Sequence, residues 1–226
     1  MASLADGATV LPVLDSMKLV KERGDVTLTD DEYLELAERA AGEKGIQIYE
    51  RDSNLAHAQE SMLLLVTTLP CTVDKLEKLL TPWLEYRLQW DSMLEKAEVI
   101  ASWPDKEVYM VRHLVKKNFP MSARESLDLV KVQRYTGGEV VFGSTGGVHK
   151  DYPPTKAYVR THQHVGGYKL LPDESNPAHT KFYMLFHADL NLPGPRLLSS
   201  IAGKFKPKFM LQKIDSLQAA IARFDI

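Results

Sequence analysis

Between Ala97 and Asp189 the chain repeats one pattern, a short extended run followed by a turn signal. The runs are Ala97–Ser102, Val108–Lys116, Leu127–Tyr135, Glu139–Ser144, Tyr158–His164, Gly167–Leu171 and Phe182–Asp189. Trp103-Pro104-Asp105, Gly137-Gly138, Gly146-Gly147, Pro153-Pro154 and Pro172-Asp173 punctuate them. Strands this close together pair antiparallel, because the connections leave no room for crossover helices. The fold class is therefore α+β, not a doubly wound α/β sheet.

Other elements frame this region. Two further strands are expected at Ile46–Glu50 and Met62–Leu69, the second ended by Pro70, with residues 52–59 as a turn between them. Thr29, followed by Asp30, Asp31 and Glu32, reads as a helix start, and Gly42 and Gly45 as its end. A second helix starts from Thr72 and breaks at Pro82, with a shorter one from about Trp83 through Trp90. Near the C-terminus, Met210, Ile214, Leu217, Ile221 and Phe224 form one apolar stripe. Leu197, Leu198, Ile201 and Phe205 form another, and Pro207 is expected to separate or kink the two. Residues 1–28 read as a flexible N-terminal segment and 29–226 as one domain.

Composition narrows the function. A net charge of −2 over 226 residues offers no cationic field for a polyanion, so nucleic acid is not an expected partner. Cys71 is the one cysteine, which suits a reducing compartment such as the cytoplasm. The N-terminus lacks a basic leader segment, and Asp6 and Asp15 interrupt its apolar stretch. No apolar run reaches the length of a membrane span. Any service to membranes is expected from the water side. A long antiparallel sheet curved around one long helix is then either packed solid or left with room for an apolar ligand.

Four motifs favour the second outcome. Tyr86-Arg87-Leu88-Gln89-Trp90-Asp91 precedes the strand region. Glu107-Val108-Tyr109 is followed by Phe119-Pro120-Met121-Ser122-Ala123-Arg124-Glu125. Tyr152-Pro153-Pro154 leads into Tyr158-Val159-Arg160. Pro195 opens an amphipathic stretch containing Pro207-Lys208-Phe209. In this order and spacing they resemble the START (StAR-related lipid-transfer) domain family, most closely its phosphatidylcholine and phosphatidylethanolamine carriers. One departure is Ala-Arg-Glu where the family has Asn-Arg-Asp. The resemblance covers most of the chain. It implies a helix-grip fold, in which a curved antiparallel sheet wraps the C-terminal helix around an apolar tunnel. It also implies transfer of one membrane lipid between membranes, as a cytoplasmic, monomeric carrier with transient membrane contact, no cofactor and no catalysis. A lipid-sensing module, or a carrier of ceramide or sterol, is the alternative.

Arg87 and Asp91 stand four apart and share a helix face. A guanidinium fork suits phosphate oxygens, and the same pair is equally consistent with a structural ion pair. By the resemblance, Tyr109, Met110, His164 and Phe186 occupy the remaining headgroup positions. Met110 and Ser126 stand where choline-selective relatives carry aromatic rings, so the cage is incomplete. Two chains of about sixteen carbons lose roughly 25 kcal/mol on leaving a bilayer, and only a closed apolar wall can replace that. Ile201, Phe205, Met210 and Ile214 are candidates for the wall and lid, and equally for an ordinary core. Lys204, Lys206, Lys208 and Phe209 are candidates for docking on an anionic surface. Gly143-Ser144-Thr145-Gly146-Gly147 lacks the central serine of a hydrolase elbow. His162 and His164 have no partner at ligand spacing, so no metal is expected.

Overall fold

The computed structural model describes residues 18–21, 45–51, 62–118, 121–192 and 196–226, with the backbone alone for 18–21, 51 and 196–205. The helix expected from Thr29, the turn at 52–59, Phe119, Pro120, Pro195 and the side chains of Leu197, Leu198, Ile201, Lys204 and Phe205 lie outside the described residues.

Met62–Leu69 (β3) shows why its sequence is an almost unbroken apolar run: the strand is buried on both faces. Leu63 and Leu65 point into the main core beside Met184, while Met62, Leu64 and Val66 join Tyr183 and Leu185 on the opposite face. β3 pairs with Asn176–Asp189 (β10) on one side and Gln47–Arg51 (β2) on the other. Lys18–Lys21 (β1), within the stretch read as a lead-in, extends that edge by pairing with β2.

The remaining strands are Leu94–Trp103 (β4), Val108–Val115 (β5), Arg124–Arg134 (β6), Val140–Gly146 (β7), Val159–Arg160 (β8) and His162–Asp173 (β9). The sheet runs in the order β1-β2-β3-β10-β9-β7-β6-β5-β4. Its pairs are antiparallel except for β8, which lies parallel to the start of β6. The two runs expected at Tyr158–His164 and Gly167–Leu171 do not end at the intervening glycines. They are largely one strand, β9, with only Val159–Arg160 set apart as β8. Gly167 holds φ +133°, and a Cβ there would sit 1.7 Å from the Phe142 carbonyl oxygen. The glycine permits close approach of β7 rather than a turn.

Two short helices cross one end of the sheet. Val73–Leu80 (α1) is capped by the Thr72 hydroxyl, which accepts from the Lys75 amide at 3.3 Å. Glu85–Trp90 (α2) follows after Pro82, and the Trp90 indole donates to the Leu79 carbonyl at 2.8 Å, tying the two together. Arg196–Arg223 (α3) then runs as one helix of 28 residues with Pro207 inside it. The expected separation at Pro207 is therefore absent. The ring forfeits one backbone hydrogen bond within the helix. Met210, Leu211, Ile214, Leu217, Ala220 and Ile221 bury the C-terminal half of α3 against the inner sheet face. Arg223 closes the grip by donating to the Gln89 carbonyl at 2.9 Å.

Candidate functional site: an apolar cavity with buried charges

The C-terminal turns of α3 from Ile214 onward are packed against the sheet, and an open space faces the middle of the helix between Lys206 and Lys213. A cavity of about 530 Å³ sits there, bounded by the inner face of β5, β6, β7, β9 and β10, by α2 and by α3. Its apolar wall includes Leu80, Val130, Phe142, Met184, Phe186 and Met210. Lys116, Lys117 and Met121 of the β5–β6 connection also border it, the two lysines exposed. Protein interiors rarely keep voids larger than a water molecule, so a space of this size is a candidate binding volume.

Charged side chains interrupt that wall at two places. At the first, α2 delivers Arg87 and Asp91, both almost fully buried, with Arg87 Nη2 2.8 Å from Asp91 Oδ2. Lys213 of α3 brings its Nζ to 3.5 Å from the same carboxylate oxygen. Arg87 Nη2 also donates to the Tyr168 hydroxyl of β9 at 3.4 Å, and the guanidinium lies over the Trp90 ring, 4.6 Å from its centre. Burial alone would raise the Asp91 carboxyl, but Lys213 and Arg87 hold it below its ordinary value. Burial likewise opposes ionisation of Tyr168, yet Arg87 and Lys213 bring that phenol down to about 8. At the second place, β6 points Arg124, Ser126 and Asp128 inward. Ser126 Oγ donates to Asp128 Oδ2 at 2.6 Å, and His113 Nδ1 of β5 is 2.8 Å from the same oxygen. The serine is bonded to the carboxylate, a weak base, and not to the imidazole. This is not the geometry of an activated nucleophile.

Of the residues singled out in the sequence, the structure brings Arg87, Asp91, Phe186, Lys206, Phe209 and Met210 to the cavity. Tyr109, Met110, His164 and Ile214 do not line it. Tyr109 stacks on Trp83 with ring centres 4.0 Å apart, beside a separate cleft of about 150 Å³. Met110 lies on the opposite face of β5, its methyl against Gly147. His164 packs between the rings of His162 and His187, with centres 5.3 and 4.7 Å away. Ile214 is fully buried in the main core. Lys206, expected to dock on a membrane surface, is buried, with its ammonium 5.9 Å from the Phe186 ring centre. Lys208 is exposed.

His113, Asp128, Tyr168 and Lys213 went unread in the sequence. Strand alternation could have supplied His113, two plus two residues on from Tyr109, and helix spacing could have supplied Lys213, seven on from Lys206. The motif carboxylate Glu125 turns outward and bridges Arg112 (2.6 Å) and Arg160 (2.8 Å). That bridge joins the Ala123-Arg124-Glu125 and Tyr158-Val159-Arg160 segments, so their joint presence in the sequence is structural.

An antiparallel sheet gripping a long helix around an apolar, charge-studded cavity defines a helix-grip fold. The comparisons make the class specific: the family model for the START domain matches residues 29–222, and the chain belongs to that family. Human StAR-related lipid transfer protein 6 is 28% identical over 140 residues, covering 59% of this chain and 61% of the relative. Human StAR-related lipid transfer protein 5 is 29% identical over 141 residues, covering 61% of this chain and 64% of the relative. The matched region thus spans a little over three-fifths of the length of these curated relatives. Among solved structures, human StAR-related lipid transfer protein 5 superposes with a TM-score of 0.76 at 22% identity, covering 96% of this chain and 94% of its own. Human STARD10 gives 0.67 at 17% identity, covering 90% and 84%. These likenesses bear on the fold. Among the described residues no helix is long and apolar enough to cross a membrane.

Proposed function

We propose that this domain binds one lipid molecule in the cavity beneath α3 and carries it between membranes, making and breaking no covalent bond. The observation that carries the reading is the combination of an apolar volume of about 530 Å³ with a buried Arg87–Asp91 pair in its wall. The hydrocarbon body is sheltered by Val130, Phe142, Met184, Phe186 and Met210, and the polar end meets Arg87, Tyr168 and Lys213. Family membership and the names of the lipid transfer relatives support lipid binding.

Volume discriminates among cargoes. A volume of about 530 Å³ falls within the range of about 300–1,000 Å³ typical of sites for one compact small molecule, so a sterol or a single-chain lipid suits this conformation. Phosphatidylcholine or phosphatidylethanolamine could set a phosphate on Arg87, but its chains require a wider cavity than this conformation provides. The geometry favours a compact lipid.

Native mass spectrometry of the protein after exposure to a mixed lipid extract tests this directly. A one-to-one adduct with a single-chain lipid or sterol is expected, and vesicle-to-vesicle transfer of that species should be accelerated. No retained lipid, or a two-chain adduct alone, contradicts the reading. Binding without accelerated transfer favours a sensor over a carrier.

A further inference from the structure

The charge of the cargo can be argued further, on the basis of the carrier reading above. Among the described residues lining the cavity, and apart from the exposed Lys116 and Lys117 at its border, the cations Arg87, Arg124, Lys206 and Lys213 stand against the carboxylates Asp91 and Asp128. Asp91 serves two cations through one oxygen, Arg87 at 2.8 Å and Lys213 at 3.5 Å. Asp128 is engaged by Ser126 and His113 rather than by either arginine. Arg87 is 4% exposed and Arg124 5% exposed, yet Nε and Nη1 of Arg87 and Nε of Arg124 have no hydrogen-bond partner. Buried donors of a charged group are costly to leave unmet, and an anion that shifted the Arg87 side chain on entering would meet them. The phenol of Tyr168, brought down to about 8 by the cations beside it despite its burial, reports the same positive surplus.

We propose that the cavity selects lipids with a net negative charge, bearing a carboxylate, sulfate or phosphate monoester that completes the coordination of Arg87 and Lys213. A neutral lipid leaves the arginine nitrogens unmet. A zwitterionic headgroup brings its own cation into a space already in positive surplus. The aromatic face best placed to receive that cation, Phe186, already carries the Lys206 ammonium 5.9 Å from its centre.

Calorimetric titration of the delipidated full chain with two matched pairs tests this: cholesterol sulfate against cholesterol, and palmitate against hexadecanol. Each pair keeps the hydrocarbon body and changes the charge. The anionic member should bind at least ten-fold more tightly in both pairs. That ratio should fall towards one in Arg87→Met and in Lys213→Met, the second variant altering a less buried side chain in case the first folds poorly. Equal affinities within both pairs overturn the charge inference and leave the carrier reading standing. An anionic preference that survives both substitutions overturns its assignment to this cluster. Failure of all four probes to bind overturns the carrier reading and this inference with it.

Discussion

Asp91→Asn isolates the electrostatics of the cavity in one atom pair. The substitution keeps side-chain shape and one acceptor oxygen but removes the carboxylate that faces both Arg87 and Lys213. Removing one partner of a buried ion pair costs about 3–5 kcal/mol, because the other charge is left uncompensated. Three features place this site at the low end. The amide oxygen can still accept from Arg87, the Lys213 side chain is 18% exposed, and the guanidinium keeps its contact over Trp90. A loss of about 3 kcal/mol in a domain of this length corresponds to a fall in Tm of roughly 6–12 °C. Urea unfolding should show a lower midpoint with an unchanged slope. The Asp91 carboxyl is held below its ordinary 3.8 when folded, so its contribution is complete above that value and is lost as pH falls through the folded pKa. The gap between wild type and Asp91→Asn should therefore narrow below pH 4. The double variant Arg87→Met/Asp91→Leu removes both desolvated charges and should recover most of the loss. A deficit under about 1 kcal/mol, constant with pH, would mean that cavity water solvates Arg87 fully, and the argument for an uncompensated cation would fail.

The remaining predictions address other parts of the molecule. One of the nine tyrosines, Tyr168, should titrate near pH 8 by absorbance at 295 nm, a step missing in Tyr168→Phe and moved upward in Arg87→Met. Because its folded pKa is depressed, wild type should gain stability over Tyr168→Phe as pH rises from about 8 to 10, and no divergence there would contradict the placement of the two cations. Gly167→Ala should destabilise the fold by about 3 kcal/mol or more, since φ +133° and the Phe142 carbonyl both exclude a methyl; a near-native urea midpoint would show that β7 and β9 can separate there. Lys208→Glu should slow transfer from anionic vesicles at low salt, whereas Lys206→Met should alter cargo affinity instead, and the reverse pattern in a transfer-and-binding comparison would restore Lys206 to the surface role.

The fold was legible where one physical signal acted alone. Turn chemistry spaced the strands, Thr72 and Pro82 bracketed α1, and the apolar stripe Met210–Ile221 marked the packed half of α3. Glycine was the ambiguous signal: at Gly167 it serves close strand approach, and only the neighbouring β7 backbone reveals that. The site was legible in part for a reason that strand geometry makes plain. Adjacent strand residues face opposite sides, so Tyr109 and Met110 could not both line one cavity. The inward series from Tyr109 continues through Val111 and His113 to Val115, and the last two reach the cavity. On α3 the sequence emphasised the charge of Lys206 over its spacing. Four residues separate it from Met210 and seven from Lys213, which puts all three on one helical face. Tyr168 and Asp128 gave no local signal, because their roles exist only once β6, β9, α2 and α3 converge.

The unmatched nitrogens of Arg87 connect stability to function. A carrier must release its cargo at an acceptor membrane, so it cannot seal itself into an empty state more stable than the loaded one. If the cargo is anionic as proposed, the donors left unmet in the empty cavity would set that balance: the empty protein bears the cost of buried cations, and the ligand would remove it on entry. Ligand at 100 times its Kd adds about 2.7 kcal/mol to stability by mass action alone. That amount is close to the deficit expected for Asp91→Asn. At one fixed concentration an anionic lipid should therefore stabilise Asp91→Asn more than wild type, because the variant binds it with a lower Kd, while its neutral analogue stabilises the two proteins alike. A thermal shift that is larger in the variant than in wild type, and only with the anionic member of each pair, would show that the cargo supplies the counter-charge that the protein itself withholds.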